Sequence, residues 1–201
     1  HLSYPLYFLD FETVNPAIPK YSGTKPYQQV VFQYSLHLKK SKLSKLEHRE
    51  HLAEPNKDPR IEFVSNLIID CGTFGDILVY NISFERSRLN ELAEQFPEFK
   101  TQLESIIERL KDLMVPFQKK WYYTSKMRGS YSIKQVLPAL VPELSYSALN
   151  ITNGESSKST FLSMINKSFN GNELLSRNDL LEYCRLDTYA MVKIVDKLYS
   201  L

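Results

Sequence analysis

The chain has 201 residues, 43% apolar and 24% charged, with a net charge of +2, the composition of one globular domain with a substantial core. That balance excludes a strongly basic scaffold, so any nucleic-acid contact must come from locally gathered cations. Two separated cysteines, Cys71 and Cys184, and histidines at 1, 37, 48 and 51 exclude a disulfide framework and a structural zinc pattern, which points to a reducing cytoplasm; no apolar run nears a membrane span and no signal peptide is visible.

Residues 4–13 (YPLYFLDFET) read as a strand covered on both faces, and the Pro- and Gly-bearing residues 15–27 as a loop. Residues 30–39 predict a second strand and 46–53 a third, antiparallel to it. Asp58 and Pro59 suit the N-cap and first position of a helix running to about 70. Residues 76–81 (DILVYN) predict a short buried strand, followed by a helix over 83–95 capped by Ser83. Pro97 opens a helix ending near Leu113, and residues 121–132 read as mixed strand and loop, with Trp121, Tyr122 and Tyr123 packing in the core or at its edge. A short helix from Ser132 stops near Pro138, residues 139–154 are irregular, a helix covers about 155–167, and Gly171 breaks the chain. The last helix runs over about 178–200. This order predicts an α/β fold: a mixed sheet with helices on both faces.

Three acidic signals carry the chemistry. Asp10 and Glu12 stand two apart on the first strand, so alternation sends both carboxylates to one face and Leu9 and Phe11 to the other. Paired anions on an apolar strand call for a cation or protons, and hard oxygen donors favour Mg²⁺ or Mn²⁺; the bland reading is a strand end turning into solvent. Glu85 follows the 76–81 strand, at the carboxyl end where ligands bind in open α/β sheets, although a helix first turn favours an acid anyway. Tyr183 and Asp187, four apart, share one helical face beside Leu180, Met191 and Ile194; Cys184 lies about 100° round from Tyr183 and reads as structural.

The order D-x-E, then an acid after a later strand, then Y-x-x-x-D resembles the DEDD superfamily of 3′–5′ exonucleases in its tyrosine-bearing, DnaQ-like branch. A closer resemblance is to an uncharacterised bacterial family of this kind, through LDFETVNPAIPKYSGTKPYQQVVFQYSLH, VYNISFERSRLNELA, GSYSIKQVLPALVPELSY and LLEYCRLDTYAM. The resemblance implies an RNase H-like sheet, three antiparallel strands and then parallel ones, in a single domain over 1–201 that is a piece of a longer protein with a further domain. It implies two ions, Mg²⁺ or Mn²⁺, about 3.5–4 Å apart, held by Asp10, Glu12, Glu85 and Asp187, with Tyr183 orienting the attacking water. It also implies substrate contacts at Thr13, Asn81, Ser132 and Lys134, and a nucleic-acid partner, DNA or RNA, single-stranded or at 3′ ends. Glu85 departs from the usual Asp at its motif.

Further contacts are open from the residues alone. The loop holding Lys20, Tyr21, Lys25, Tyr27 and Gln28 suits phosphates and bases or is simply solvated, and Arg86 and Arg88 can meet phosphate or pair with surface acids. The N-terminus of the helix at 130–134 can receive an anion. The rival readings are a nuclease-fold module that binds nucleic acid or protein without cutting, and another phosphoryl-transfer enzyme on the same fold. No G-x-S-x-G elbow and no G-x-x-x-x-G-K-[ST] loop occurs, which argues against a serine hydrolase and a P-loop enzyme.

Overall fold

Near-continuous apolar runs build the centre of the sheet. A computed structural model describes residues 2–200. Its strands are β1 (Leu6–Val14), β2 (Val30–Lys39), β3 (Leu46–Leu52), β4 (Asp76–Val79) and β5 (Leu110–Asp112). Its helices are α1 (Arg60–Cys71), α2 (Ile82–Gln95), α3 (Lys100–Glu108), α4 (Val115–Gln118), α5 (Ile133–Leu140), α6 (Gly154–Ile165) and α7 (Glu173–Tyr199). The sheet order is β3-β2-β1-β4-β5: β1, β2 and β3 pair antiparallel, and β4 and β5 run parallel to β1. This is the mixed α/β arrangement expected of an RNase H-like chain. Among the described residues no helix is long and apolar enough to cross a membrane.

Both faces of the sheet are covered. Leu6, Phe8, Val14 and Phe32 pack with Leu137, Phe161, Leu180 and Ile194 from α5, α6 and α7, while Tyr7, Leu9, Phe11 and Leu36 pack with Phe63, Leu67, Leu89 and Leu103 from α1, α2 and α3. Each such side chain contributes roughly 1.5–3 kcal/mol on burial. A bulge opposite Glu12 and Thr13 leaves Phe32 as the extra residue on β2. Phe32 stacks on Phe161 with ring centroids 4.1 Å apart, and the next residue, Gln33, also turns toward α7, its Nε2 donating to the Leu180 carbonyl at 2.8 Å. Thr188 of α7 is held by Ser35 at 2.7 Å and by His37 Nδ1 at 2.8 Å. Burial holds His37 down at about 3 and His48 at about 4, so this polar seam is uncharged at neutral pH.

Several expectations need correcting. The stretch from Pro97 is not one helix: a 3-10 turn at Pro97–Phe99 leads into α3, and residues 110–112 form β5, because Leu110 pairs beside Ile77 at the open edge of β4. Residues 121–132 contain no strand, only a 3-10 turn at Ser125–Met127. Pro138 lies inside α5 and does not stop it; it sits on the exposed side, and the helix ends two residues later. The last helix starts at Glu173, where the Asn172 side chain accepts from Leu175 N and caps it. Ser83 is no cap: α2 begins at Ile82, and the Asp112 carboxylate accepts from Asn81 N and Ile82 N, each at 3.1 Å. The start of α1 is shifted by one residue: Pro59 holds the N-cap position and the helix begins at Arg60, while Asp58, one place too early to cap, accepts from Arg60 N at 3.2 Å. Trp121 and Tyr123 do not pack in the core; they are 72% and 51% exposed, and only Tyr122 packs, against Phe117.

Candidate metal centre

The site forms where β1 outruns its parallel neighbour. Phe8 pairs with Leu78, but β4 ends at Val79 while β1 continues to Val14. Asp10 and Glu12 follow Phe8 at period two, on the face that packs against α7. The chain turns at Asn81, in the left-handed region at φ 77°, directly into α2, whose first turn carries Glu85. One helical turn apart on α7, Tyr183 and Asp187 close the other side. Asp10, Glu12, Glu85, Tyr183, Asp187 and Lys134 line one cleft of about 210 Å³.

Asp10, Glu12 and Asp187 each present an oxygen within 4.8 Å of the other two. Glu85 shares the cleft and is 1% exposed, and its Oε2 has no hydrogen-bond partner. Tyr146, on the 3-10 turn at Tyr146–Ala148, donates to Asp187 Oδ1 at 2.6 Å. The Cys184 thiol donates to Asp10 Oδ2 at 3.7 Å. Lys134 donates to the Thr152 carbonyl at 2.7 Å and stands 5.4 Å from the ring centroids of both Tyr146 and Tyr183.

Every one of these acids is held above its ordinary range. Burial pushes Asp10 well up, and the carboxylates of Asp187, Glu85 and Glu12 add to it. Burial and then Asp187 raise Glu12 to about 8, partly offset by the Ser157 hydroxyl and the Lys134 charge. Glu85 also stands at about 8, through burial and the neighbouring Asp112, against its own backbone N–H. Asp187 reaches only about 6, because Tyr146, Lys134 and Tyr183 oppose the effect of burial. The Tyr183 phenol is pushed up, by burial first and then by Asp187, Glu12 and Asp10, so it keeps its proton at neutral pH.

These residues fit a divalent cation. The donors are all carboxylate oxygens, which suit Mg²⁺ or Mn²⁺ better than zinc. Their mutual repulsion and burial cost free energy that protons or a cation would offset, and Glu85 Oε2 is a buried acceptor with nothing to accept from.

Of the other residues singled out from sequence, Asn81 and Lys134 line the cleft. Thr13 and Ser132 do not: Thr13 donates to Gln29 at 3.1 Å, and Ser132 is exposed ahead of α5. The 20–28 loop also lies off the cleft lining; Tyr21 packs by Arg60, 5.9 Å from the ring centroid. Arg88 pairs with Glu91 and sits over Phe84, while Arg86 is exposed. Sequence reasoning missed Tyr146, which lies 41 residues from Asp187 in an irregular stretch, and Asp112, which falls in the last turn of the helix expected from Pro97 to Leu113. It read Cys184 as structural; the thiol is buried, and it also touches Asp10.

The family model described as Domain of unknown function (DUF2779) matches residues 7–132, a span that holds Asp10, Glu12 and Glu85 and stops short of Tyr183 and Asp187. The chain is 30% identical over 167 residues to the uncharacterized protein UU173 of Ureaplasma parvum, covering 73% of this chain and 24% of that protein. It is 28% identical over 210 residues to the uncharacterized protein MG366 of Mycoplasma genitalium, covering 94% of this chain and 31% of the relative. The MG366 homolog of Mycoplasma pneumoniae is also 28% identical, with 93% and 31% covered. The chain therefore spans between 24% and 31% of the length of these relatives. No solved structure matches.

Proposed function

We propose that this chain, which belongs to the DUF2779 family, is a metal-dependent nuclease that hydrolyses phosphodiester bonds at the cleft between β1, α2 and α7. The observation that carries the reading is the convergence of Asp10, Glu12, Glu85 and Asp187, from three separate elements, on one cleft that also holds Tyr183. Nothing in the packing of the two cores needs four acids in one place, three of them buried, and repulsion opposes it.

Asp10, Glu12, Asp187 and Glu85 would hold Mg²⁺ or Mn²⁺, two ions in the arrangement the DEDD resemblance implies. When bound, such cations neutralise charge developing on a phosphate and make a water molecule acidic enough to attack. Tyr183, protonated at neutral pH, has a hydroxyl to donate and suits the task of orienting that water or a phosphate oxygen. Lys134 brings a cation whose charge reaches Glu12 and Asp187, and it suits a non-bridging phosphate oxygen. Tyr146 fixes the rotamer of Asp187 by its hydrogen bond.

The order of the motifs resembles the tyrosine-bearing DEDD exonucleases, so the finer reading is removal of nucleotides from the 3′ end of single-stranded DNA or RNA. The assay is release of nucleotides from end-labelled oligomers with Mg²⁺ or Mn²⁺, with 3′-blocked and circular substrates alongside. Blocked and circular substrates should survive. Asp10→Ala and Asp187→Ala should each lower the rate by about a thousandfold or more, since each would remove several kcal/mol of charge stabilisation. Unchanged rates in both variants would sink the assignment.

A further inference from the structure

The segment between α4 and α5 has a composition unlike the rest of the chain. Residues 113–142 contain Lys119, Lys120, Lys126, Arg128 and Lys134 and not one Asp or Glu. Among the described residues, Lys119, Lys120, Lys126 and Arg128 form no ion pair, and all four are exposed. Rings alternate with them: Trp121 is 72% exposed, Tyr123 51% and Tyr131 44%. Single exposed rings are ordinary; three of them interleaved with unpaired cations and no acid in one short segment suit a ligand that carries both planar and anionic groups.

The segment is also well anchored. Met127 is 1% exposed, Tyr122 packs edge-on against Phe117, and Trp121 N and Tyr122 N both donate to the Pro116 carbonyl. The exposed rings are therefore carried on a fixed backbone. The far end of the segment reaches the carboxylate cleft directly. Tyr80 and Lys134 line that cleft, and the Tyr80 hydroxyl donates to the Tyr131 carbonyl at 2.6 Å.

We propose that residues 119–131 form the track along which single-stranded nucleic acid approaches the cleft. Bases stack on Trp121, Tyr123 and Tyr131, and phosphates meet Lys119, Lys120, Lys126 and Arg128. Stacking on aromatic faces tolerates any base, and intervening cations follow the backbone, which is the chemistry of sequence-independent single-strand binding. A flat anionic surface such as a lipid headgroup layer would use the cations, but it gives no role to rings spaced along a path that ends at the carboxylate cleft. The proposal rests on the nuclease reading for the purpose of the track, not for its existence.

The chain has one tryptophan, so its fluorescence reports on Trp121 alone. In EDTA, which prevents cleavage, oligothymidylate and oligouridylate of about 16 nucleotides should change that fluorescence and bind by anisotropy of a labelled strand. Trp121→Ala and Tyr123→Ala should each weaken binding by about fivefold to a hundredfold, and Trp121→Phe should recover part of the loss. Each Lys→Ala should flatten the dependence of log affinity on log salt by about 0.7. Preference for either DNA or RNA supports the track and identifies the strand. Unmoved tryptophan fluorescence, wild-type affinity in both ring variants, or binding to phosphatidylglycerol vesicles in place of oligomers would overturn it. Hydrolysis of bis(p-nitrophenyl) phosphate by the unaltered chain with Mn²⁺ separates the two readings. Strand binding without hydrolysis supports the track and removes the nuclease reading; hydrolysis without strand binding does the reverse.

Discussion

Raising the pH of a chelated sample from about 6.5 to 9 should destabilise the chain, and Mn²⁺ should restore what is lost. Glu12 and Glu85 are both held at about 8, from an ordinary 4.5. Between those values the folded chain keeps protons that the unfolded chain has released. The contribution of these two acids is therefore full below about 4.5, declines as pH rises through the window, and is lost above about 8; His37 and His48, held down at about 3 and 4, act in the opposite sense below about 6.5, so the effect of the acids is read above that pH. Moving one carboxyl that far corresponds to roughly 5 kcal/mol against ionisation. The acids share protons and the cleft admits water, so a loss of about 3–5 kcal/mol for the group is expected. For a domain of this size that is roughly 6–20 °C in Tm. A cation binds the ionised acids and not the unfolded chain, and at a hundred times its Kd it contributes about 2.7 kcal/mol, or roughly 5–10 °C. Thermal unfolding in EDTA, Mg²⁺ and Mn²⁺ across the pH range measures both effects. The Mn²⁺ shift should grow with pH, vanish in Asp10→Asn and Asp187→Asn, and ride on a flatter pH profile in Glu85→Gln. A flat profile in EDTA, or an equal Mn²⁺ shift in the Asp10→Asn and Asp187→Asn variants, would refute the reasoning.

Tyr146→Phe removes the hydrogen bond to Asp187 and keeps the ring, so Mn²⁺ affinity by calorimetric titration should fall about 10–100-fold with little change in fold. Asp112→Ala strips the acceptor from Asn81 N and Ile82 N at the start of α2 and should cost about 0.5–2 kcal/mol in urea unfolding. Gly75 has φ +91°, and a Cβ there would stand 2.2 Å from the Pro5 carbonyl oxygen, so Gly75→Ala should cost about 2–4 kcal/mol in the same assay. An unshifted urea midpoint in either variant would show that the contact named for it does not matter.

Much of this molecule could be read locally. Period two on β1 sends Asp10 and Glu12 to one face, and period 3.6 on α7 does the same for Tyr183 and Asp187, because side-chain direction follows backbone geometry alone. The apolar runs of β1 and β2 set the sheet centre for the same reason, and β2 spans Val30–Lys39 as its composition suggests. What the chain could not reveal locally was which distant groups would be brought to those acids. Asp112 caps α2 only because three-residue β5 pairs beside β4, a pairing decided by the edge of the sheet and not by residues 110–112 themselves. Tyr146 reaches Asp187 from an irregular stretch, and Trp121 and Tyr123 face solvent although their apolarity alone favours burial. The sequence by itself determined the strand and helix faces that carry the four acids. Only the tertiary structure decided how deeply they are buried, which groups neutralise or orient them, and which aromatic rings remain in water, since burial depends on what the rest of the chain packs against each face.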